Sequence, residues 1–375
     1  MVRFAHISDT HLGKRQYKLL AREEDFYRVF CRIVDRVIDE GVDFVVHSGD
    51  VFNSSNPSPR SLVVFQEGLL RLSRAGIPLF CIAGNHDILL REGSVPPLDV
   101  FKENGLCVID DKNPFYVYDG VFIGGVCYHT RSRSEEFYEQ LEILSSVAED
   151  YSRRVLLLHQ GFDEDLRGWE FESEYLPVNF DYYGMGHVHS FKRRAFGRGL
   201  LVYPGSSEVS REDENRDKSF CIVEITDNGG VDVERVMIDL PRKFVERTLY
   251  YDRLDVQIPN LQSELWCCDY KPILDLTIVG RYKPDNLFSL LNDSLGYYCI
   301  RLNYRFEFSG RNSSDVSSYG GSLGVHELLF SRVSEEFNTE IGDFAVKLYD
   351  NLSQNNMEVS GELLDEVYQL YLKEE

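Results

Sequence analysis

The sequence has 375 residues, of which 43% are hydrophobic and 13% aromatic, and its formal net charge is -22. This length and composition allow two or three domains with cores of their own and exclude collagen-like and wholly disordered classes. Apolar stretches such as residues 42–46 and 155–158 are far shorter than the roughly 20 residues that cross a bilayer. A polar segment starts at Ser8, before the apolar region of a secretory signal could form, so we expect a cytoplasmic protein that has no membrane partner.

Strands and helices alternate through the first hundred residues. Strands are predicted over 2–8, 42–47 and 77–83. A helix is predicted around residues 26–37, because apolar side chains there recur on one helical face: Phe26, Val29, Phe30, Ile33 and Val37. A second helix is predicted over 59–75, ending at Gly76.

Later residues add mainly strands. The dipeptide Asp119-Gly120 predicts a hairpin turn, and a helix is expected over 134–151. Further strands are predicted over 155–159, 182–186, 200–203, 219–225 and 231–238. An α/β fold with a two-sheet β-sandwich flanked by helices accommodates all of these elements.

The pattern changes after residue 240, which predicts a domain boundary. We expect a first domain over 1–240, a small α+β domain over 244–308, a flexible Ser/Gly-rich linker over 309–324 and a helical segment over 325–375. The last segment carries twelve acidic and three basic residues, so about -9 of the net charge lies there. Its apolar stripe cannot be buried by one helix alone, which favours docking on a partner chain over docking on the main body.

Five short stretches place metal-binding side chains directly after predicted strands. They are Asp9-Thr10-His11, Gly49-Asp50, Gly84-Asn85-His86, His159-Gln160-Gly161 and Gly186-His187-Val188-His189. Ligands gather beyond the carboxyl ends of strands in layered α/β folds, so these stretches are expected to converge. Each stretch is weak alone, but the five together indicate a metal centre made of carboxylate, imidazole and amide groups, which suit manganese or iron better than structural zinc.

This combination resembles the calcineurin-like metallophosphoesterase superfamily. The resemblance implies two metal ions bridged by Asp50, with Asp9, His11 and His189 completing the first site and Asn85, His159 and His187 the second. It also implies in-line attack at phosphorus, since two adjacent ions neutralise the charge that develops there. His86 is not matched to a ligand, and we expect it to be a catalytic proton donor to the leaving oxygen, the alternative being that it only positions phosphate.

The residues around these motifs narrow the resemblance to the meiotic recombination eleven/SbcD family of DNA double-strand-break repair nucleases. The similarity is strong over residues 1–240 and architectural beyond them. It implies 3′-5′ exonuclease activity on duplex DNA and endonuclease activity on single strands, with two Mn²⁺ ions per chain, or Mg²⁺ or Fe²⁺ in their place. It also implies a capping domain that binds DNA, a homodimer, and an SMC-like ABC-type ATPase partner bound by the C-terminal helical segment.

One residue departs from the family pattern. Many members have a histidine three residues after the bridging aspartate, whereas this chain has Asn53. An asparagine side chain can still donate a hydrogen bond to phosphate or sugar. We therefore expect a changed balance between exonuclease and endonuclease activity, with metal binding unaffected.

Basic residues follow the first and last metal motifs. The first group consists of Lys14, Arg15, Lys18 and Arg22, with Tyr17 among them, and the second of Lys192, Arg193 and Arg194. We take Arg15, Tyr17, Asn53, Lys192, Arg193 and Arg194 as candidate DNA contacts, although a solvated face is the alternative for each group. Contacts to the phosphate backbone would be independent of base sequence.

Two other functions remain open. A small-molecule or cyclic-nucleotide phosphodiesterase of the same superfamily would need the metal centre but not the second domain, the linker or the acidic segment. A scaffold that has lost its metals would keep only the fold, but every expected ligand type is present in this chain.

Overall fold

The computed structural model describes residues 1–88, 95–166, 169–281 and 286–308. The chain divides into two compact units, Met1–Pro241 and Arg242–Glu375. The predicted linker over 309–324 and the helical segment over 325–375 lie outside the described residues. Within the described ranges, no helix combines the length and the apolar character needed to span a membrane.

The first unit contains twelve strands and three α-helices in its described part. The strands are β1 (Val2–Ile7), β2 (Phe44–His47), β3 (Leu79–Cys81), β4 (Leu106–Val108), β5 (Phe115–Tyr118), β6 (Val121–Val126), β7 (Arg153–His159), β8 (Tyr182–Gly186), β9 (Lys192–Phe196), β10 (Gly199–Tyr203), β11 (Ser219–Ile225) and β12 (Val231–Met237). The helices are α1 (Leu20–Glu40), α2 (Pro59–Arg74) and α3 (Ser134–Ala148).

These strands form two six-stranded sheets. The first has the order β12-β11-β1-β2-β3-β4, and the second has the order β5-β6-β7-β8-β10-β9. Strands β1 to β4 run parallel, as do β6, β7, β8 and β10. Strands β11 and β12 of the first sheet and β5 and β9 of the second pair in antiparallel fashion with their neighbours. The five stretches that carry the predicted metal ligands therefore follow parallel strands of the two sheets.

A buried apolar layer holds the two sheets face to face. The ring of Phe4 in the first sheet stacks on Phe44 with centroids 4.8 Å apart, and Tyr182 of the second sheet meets Phe4 edge-on at 5.3 Å. Helices α1 and α2 cover the outer face of the first sheet, and α3 covers the outer face of the second. The predicted two-sheet sandwich flanked by helices is confirmed.

Local predictions in this unit agree with the structure in most places. The five apolar positions predicted for one face of α1 are all buried. Asp119 and Gly120 have positive φ values of 47° and 73°, as a two-residue hairpin turn requires. The strand β9 was not predicted, because its charged residues at 192–194 give it no apolar alternation and it lies at a sheet edge.

The second unit is a small α+β arrangement in its described part. Its strands β13 (Phe244–Tyr250), β14 (Ile273–Gly280) and β15 (Arg301–Phe308) form one parallel sheet, linked through the helices α4 (Leu254–Trp266) and α5 (Leu287–Leu295). Leu274, Ile278 and Leu291 are among the residues of its separate apolar core. A core of its own is what an independent domain needs.

Candidate metal centre

The five predicted stretches converge at the carboxyl ends of the central strands. Strands β1, β2 and β3 of one sheet and β7 and β8 of the other deliver them to one place. The backbone turns sharply there: Asp9, His11, Asp50 and His187 all have positive φ, between 44° and 82°. Side chains other than glycine rarely adopt this conformation, and such strain is concentrated at functional sites.

Backbone contacts between the sheets fix these turns. The Nδ1–H of His159 donates to the carbonyl of Ser48 at 2.7 Å. A Cβ atom at Gly186 would lie only 2.0 Å from that same carbonyl oxygen, so the close approach requires glycine. The backbone N–H of His187 donates to the carboxylate of Asp9, with both oxygens 3.2 Å away.

The structure brings the side chains of the first predicted ligand group close together. The Nε2 atoms of His11 and His189 lie 3.1 Å apart, and Asp9 Oδ1 lies 4.0 Å from the first and 3.5 Å from the second. Two imidazole nitrogens and a carboxylate oxygen pointing at one spot form a donor set suited to a divalent cation. Asp9 and His11 are buried, and the side chain of His189 is 13% exposed.

The second group lies beside the first. Asn85 Oδ1 is 3.2 Å from His159 Nε2 and 3.1 Å from His187 Nδ1. Asp50 Oδ2 stands between the groups, 3.7 Å from His11 Nε2 and 3.4 Å from His159 Nε2. The seven predicted ligands thus form one continuous cluster whose donors fit two divalent ions sharing Asp50.

The ionisation of the two carboxylates in the cluster favours cation binding. Burial raises the pKa of Asp9, but the hydrogen bond from His189 and the nearby imidazoles outweigh it and hold that pKa below its usual range. Burial also raises the pKa of Asp50, but the attraction and hydrogen bond of His159 together with the attraction of His11 outweigh it and lower that pKa. Both carboxylates are therefore anionic at neutral pH, the form in which they bind a metal.

His86 lies at the open side of this cluster. Its Nδ1–H donates to the carbonyl of Asn53 at 2.8 Å, which turns Nε2 towards Asp50 Oδ2 at 3.9 Å. Its side chain is 38% exposed, whereas those of His11 and His159 are 4% or less. His86 can also be grouped with His11 and Asp50 as a set of metal-binding atoms, so ligation is an alternative to proton donation.

Asp87 is a site residue to which our reading of the motif gave no role. Its buried carboxylate accepts hydrogen bonds from the backbone N–H groups of Val51, Phe52 and Gly84, at 3.0 to 3.1 Å. It therefore ties the turn after Asp50 to the turn that carries Asn85 and His86. Its position directly after the Gly-Asn-His stretch was the available signal.

Tyr128 was also missed. Its half-buried ring lies with its centroid 5.8 Å from that of His187 and 6.3 Å from that of His159. Its backbone N–H donates to the carbonyl of Ala83 at 3.0 Å, which joins β6 to the end of β3. No spacing in the sequence indicated this position.

The predicted DNA contacts do not form one surface. Strand alternation places Lys192 and Arg194 on one face of β9 and Arg193 on the other. Lys192 donates to the carbonyl of Asp165, Arg194 pairs with the Asp165 carboxylate at 3.2 Å, and Arg193 donates to the carbonyl of Val233 at 3.1 Å. Each cation thus has a partner within the protein.

The residues that follow the Asp9-Thr10-His11 motif differ in their exposure to solvent. Arg15 is exposed and pairs with Glu23, while Tyr17 is half-buried with φ at 58°. Our interpretation of Arg22 as a surface cation is wrong: its side chain is 0% exposed and pairs with Asp25 at 2.7 Å and Glu208 at 3.1 Å. The arginine is buried where α1 meets the segment after β10, and its ion pairs link the two.

Comparison with known proteins places this arrangement in a family. The calcineurin-like phosphoesterase family model matches residues 2–191. The DNA double-strand break repair protein Mre11 of Saccharolobus solfataricus is 38% identical, with 97% of this chain and 98% of the relative aligned. The Mre11 proteins of Methanocaldococcus jannaschii and Methanococcus maripaludis are 32% and 29% identical, with 95% or more of each chain aligned.

The chain belongs to the Mre11 family of calcineurin-like phosphoesterases. Full-length similarity at this identity confirms the family resemblance read from the motifs. Membership makes the chain a metal-dependent phosphodiesterase, and the cluster around Asp50 contains candidate donors for a divalent metal.

Proposed function

We propose that this chain is a manganese-dependent DNA nuclease that processes the ends of double-strand breaks. It would remove nucleotides from duplex DNA in the 3′-5′ direction and cut single-stranded DNA internally. The observation that carries the proposal is the seven-residue cluster around Asp50, in a chain whose relatives of nearly equal length are DNA double-strand break repair proteins. When bound, two divalent ions would activate water and neutralise charge on the scissile phosphate.

Residues of the chain would hold the ions and donate a proton to the leaving group. Asp50 would hold both ions, because its carboxylate lies between the two ligand groups. His86 would give a proton to the leaving oxygen, since its Nε2 points to the cluster while its side chain stays partly open to solvent. The hydrogen bond to the carbonyl of Asn53 would keep the ring in that orientation.

DNA would be bound through its phosphates rather than its bases. Arg15 is the exposed predicted contact nearest in sequence to His11, and Asn53 lies against His86. The cations of β9 already have protein partners, so they would contribute less than Arg15. Tyr17 would stack on a base or sugar.

We also propose that the chain assembles with partners. We expect two copies of the chain to pair, the second unit to contact DNA as a capping domain, and the segment 325–375 to bind an ABC-type ATPase partner. The amphipathic pattern and the acidic excess of that segment support a docking role.

The test is digestion of a linear DNA duplex labelled at its 3′ ends by the full chain. Label should be released with Mn²⁺ and retained with a chelator, and the Asp50→Ala variant should release none. A hairpin and a small phosphodiester are tested in parallel. Intact DNA together with rapid hydrolysis of the small phosphodiester would instead establish the alternative phosphodiesterase function.

A further inference from the structure

Each histidine of the Gly-His-Val-His stretch contacts a glutamate on the ring nitrogen that faces away from its neighbouring ligand. His187 has Nδ1 3.1 Å from Asn85 Oδ1 and Nε2 3.2 Å from Glu170 Oε1. His189 uses the opposite nitrogens: Nε2 lies 3.5 Å from Asp9 Oδ1, and Nδ1 lies 2.6 Å from Glu214 Oε1. The two glutamates come from different segments of the chain.

Glu170 is anchored to the turn after β7. Its Oε2 accepts a hydrogen bond from the backbone N–H of Gly161 at 2.8 Å, and its own N–H donates to the Gly161 carbonyl at 2.9 Å. A Cβ atom at Gly161 would lie 2.8 Å from that same Oε2, so the approach depends on glycine. Glu170 is therefore placed by the segment that also carries the ligand His159.

Glu214 is held still more firmly. Its Oε2 accepts from the backbone N–H of Ser210 at 2.9 Å and from Lys218 Nζ at 2.8 Å, while its Oε1 accepts from Ser210 Oγ at 2.7 Å. Lys218 is only 2% exposed and also donates to Ser206 Oγ at 2.8 Å. A buried lysine thus neutralises and fixes the carboxylate that faces His189.

Neither glutamate is itself grouped with metal-binding atoms among the residues that the structure describes. Each contacts the ring nitrogen opposite the one that faces the ligand group, so each acts on that group through its histidine. A carboxylate that accepts the outer N–H of a ligating imidazole selects the tautomer, orients the ring and raises the basicity of the inner nitrogen. Because the inner nitrogens belong to different ligand groups, the two glutamates serve different ions.

We propose that Glu170 and Glu214 are positioning residues that separately set the affinity of the two metal sites. Glu170 acts through His187 on the site of Asn85 and His159, and Glu214 acts through His189 on the site of Asp9 and His11. This inference rests on the proposed two-ion centre. It adds two residues that no motif of the family resemblance contains.

The experiment is calorimetric titration of the full, metal-free chain with Mn²⁺. The wild-type chain should bind two ions. Glu170→Gln and Glu214→Gln each keep an oxygen acceptor but remove its charge, and each should weaken one binding step about 10- to 100-fold while leaving the other step within about twofold. The double variant should weaken both steps.

Variants of the ligands assign each step to a site. Asn85→Ala should abolish the step that Glu170→Gln weakens, and His11→Ala should abolish the step that Glu214→Gln weakens. Adding Glu170→Gln to the Asn85→Ala chain should then cause no further loss. The exposed neighbours Glu174 and Glu212 provide matched controls, and their glutamine variants should bind both ions as the wild type does.

The outcomes separate this inference from the proposed function. Two wild-type binding steps that neither glutamine variant alters would overturn the inference and leave the metal centre intact. Equal weakening of both steps by one variant would also contradict it, since that indicates a general structural defect. A wild-type chain that binds no Mn²⁺ would overturn both proposals. Far-ultraviolet circular dichroism of the metal-free variants shows whether they fold.

Discussion

His86 is partly exposed at the edge of the metal cluster, and two roles fit this position: metal ligand and proton donor. Its Nε2 lies 3.9 Å from the Asp50 carboxylate, close enough to ligate and also well placed to donate a proton. We expect His86→Ala to lower kcat by about 100- to 10,000-fold, as loss of a general acid does. Stopped-flow or gel assays of 3′-label release under saturating Mn²⁺ measure this change.

Metal binding by the same variant decides between the two roles. If His86 is a proton donor, the His86→Ala chain should bind two Mn²⁺ ions as tightly as the wild type. Loss of one ion in equilibrium dialysis would show instead that His86 is a ligand. Asn85→Ala, which removes a neighbouring predicted ligand, is the comparison that should lose an ion.

Asp87 has a structural role that can be measured separately from chemistry. Its carboxylate serves three backbone N–H groups, and an asparagine offers one carbonyl oxygen and a competing NH₂ group. We expect Asp87→Asn to lower the free energy of unfolding by about 1–3 kcal/mol, the cost of leaving buried donors unpaired. Urea denaturation measures it, with the exposed Asp150→Asn as a control; equal values would refute this role.

At the scale of elements, convergence of the metal motifs followed from strand order. The rule that ligands gather at the carboxyl ends of parallel strands was enough to bring Asp50 and His159 together from opposite sheets. The apolar periodicity of α1 and the turn at Asp119 and Gly120 were equally predictable, since both depend on neighbours close in sequence. These features need no knowledge of long-range packing.

Other features could not be predicted from residues close in sequence or from strand order. Strand β9 has a charged sequence, and only the neighbouring strand β10 makes it a strand. Glu170 and Glu214 reach their histidines across 17 and 25 residues, so no short motif contains these pairs. Arg22 has the sequence surroundings of a surface cation, and only tertiary packing encloses it.

The burial of Arg22 leads to a prediction about α1. Its guanidinium joins Asp25 of the helix to Glu208 and to the carbonyl of Val209. Arg22→Ala would remove the cation paired with the buried Glu208 and one of the two arginines paired with the buried Asp25. Breaking such a buried network costs about 3–5 kcal/mol. Urea denaturation should show this loss for Arg22→Ala.

An exposed arginine on the same helix provides the control. Arg36 pairs with Glu40 one turn away and its side chain is 55% exposed, so Arg36→Ala should change the free energy of unfolding by less than about 1 kcal/mol. Similar losses for the two variants would mean that the Arg22 network contributes no more than a surface pair.

At the scale of the whole molecule, the charge of -22 must be reconciled with binding to DNA. About -9 of it lies in the segment 325–375, away in sequence from the metal motifs. We expect the chain alone to bind duplex DNA weakly, with an affinity that falls steeply as salt rises, because phosphate contacts release counterions. Fluorescence anisotropy at several salt concentrations tests this; an affinity independent of salt would contradict phosphate binding.

The acidic segment gives a second prediction at this scale. Removal of residues 325–375 should abolish co-purification with the ATPase partner and leave hydrolysis of a small phosphodiester unchanged, since all predicted metal ligands lie before residue 190. Co-purification that persists without the segment would place the docking surface elsewhere on the chain.

We propose that seven side chains from two sheets hold two metal ions that share Asp50. Crystals of the full chain grown with Mn²⁺ test it directly through anomalous scattering. We predict two peaks roughly 3.5–4 Å apart, one against Asp9, His11 and His189 and one against Asn85, His159 and His187, with Asp50 between them. A single peak, or two peaks that do not share Asp50, would rule out a two-ion centre bridged by this residue.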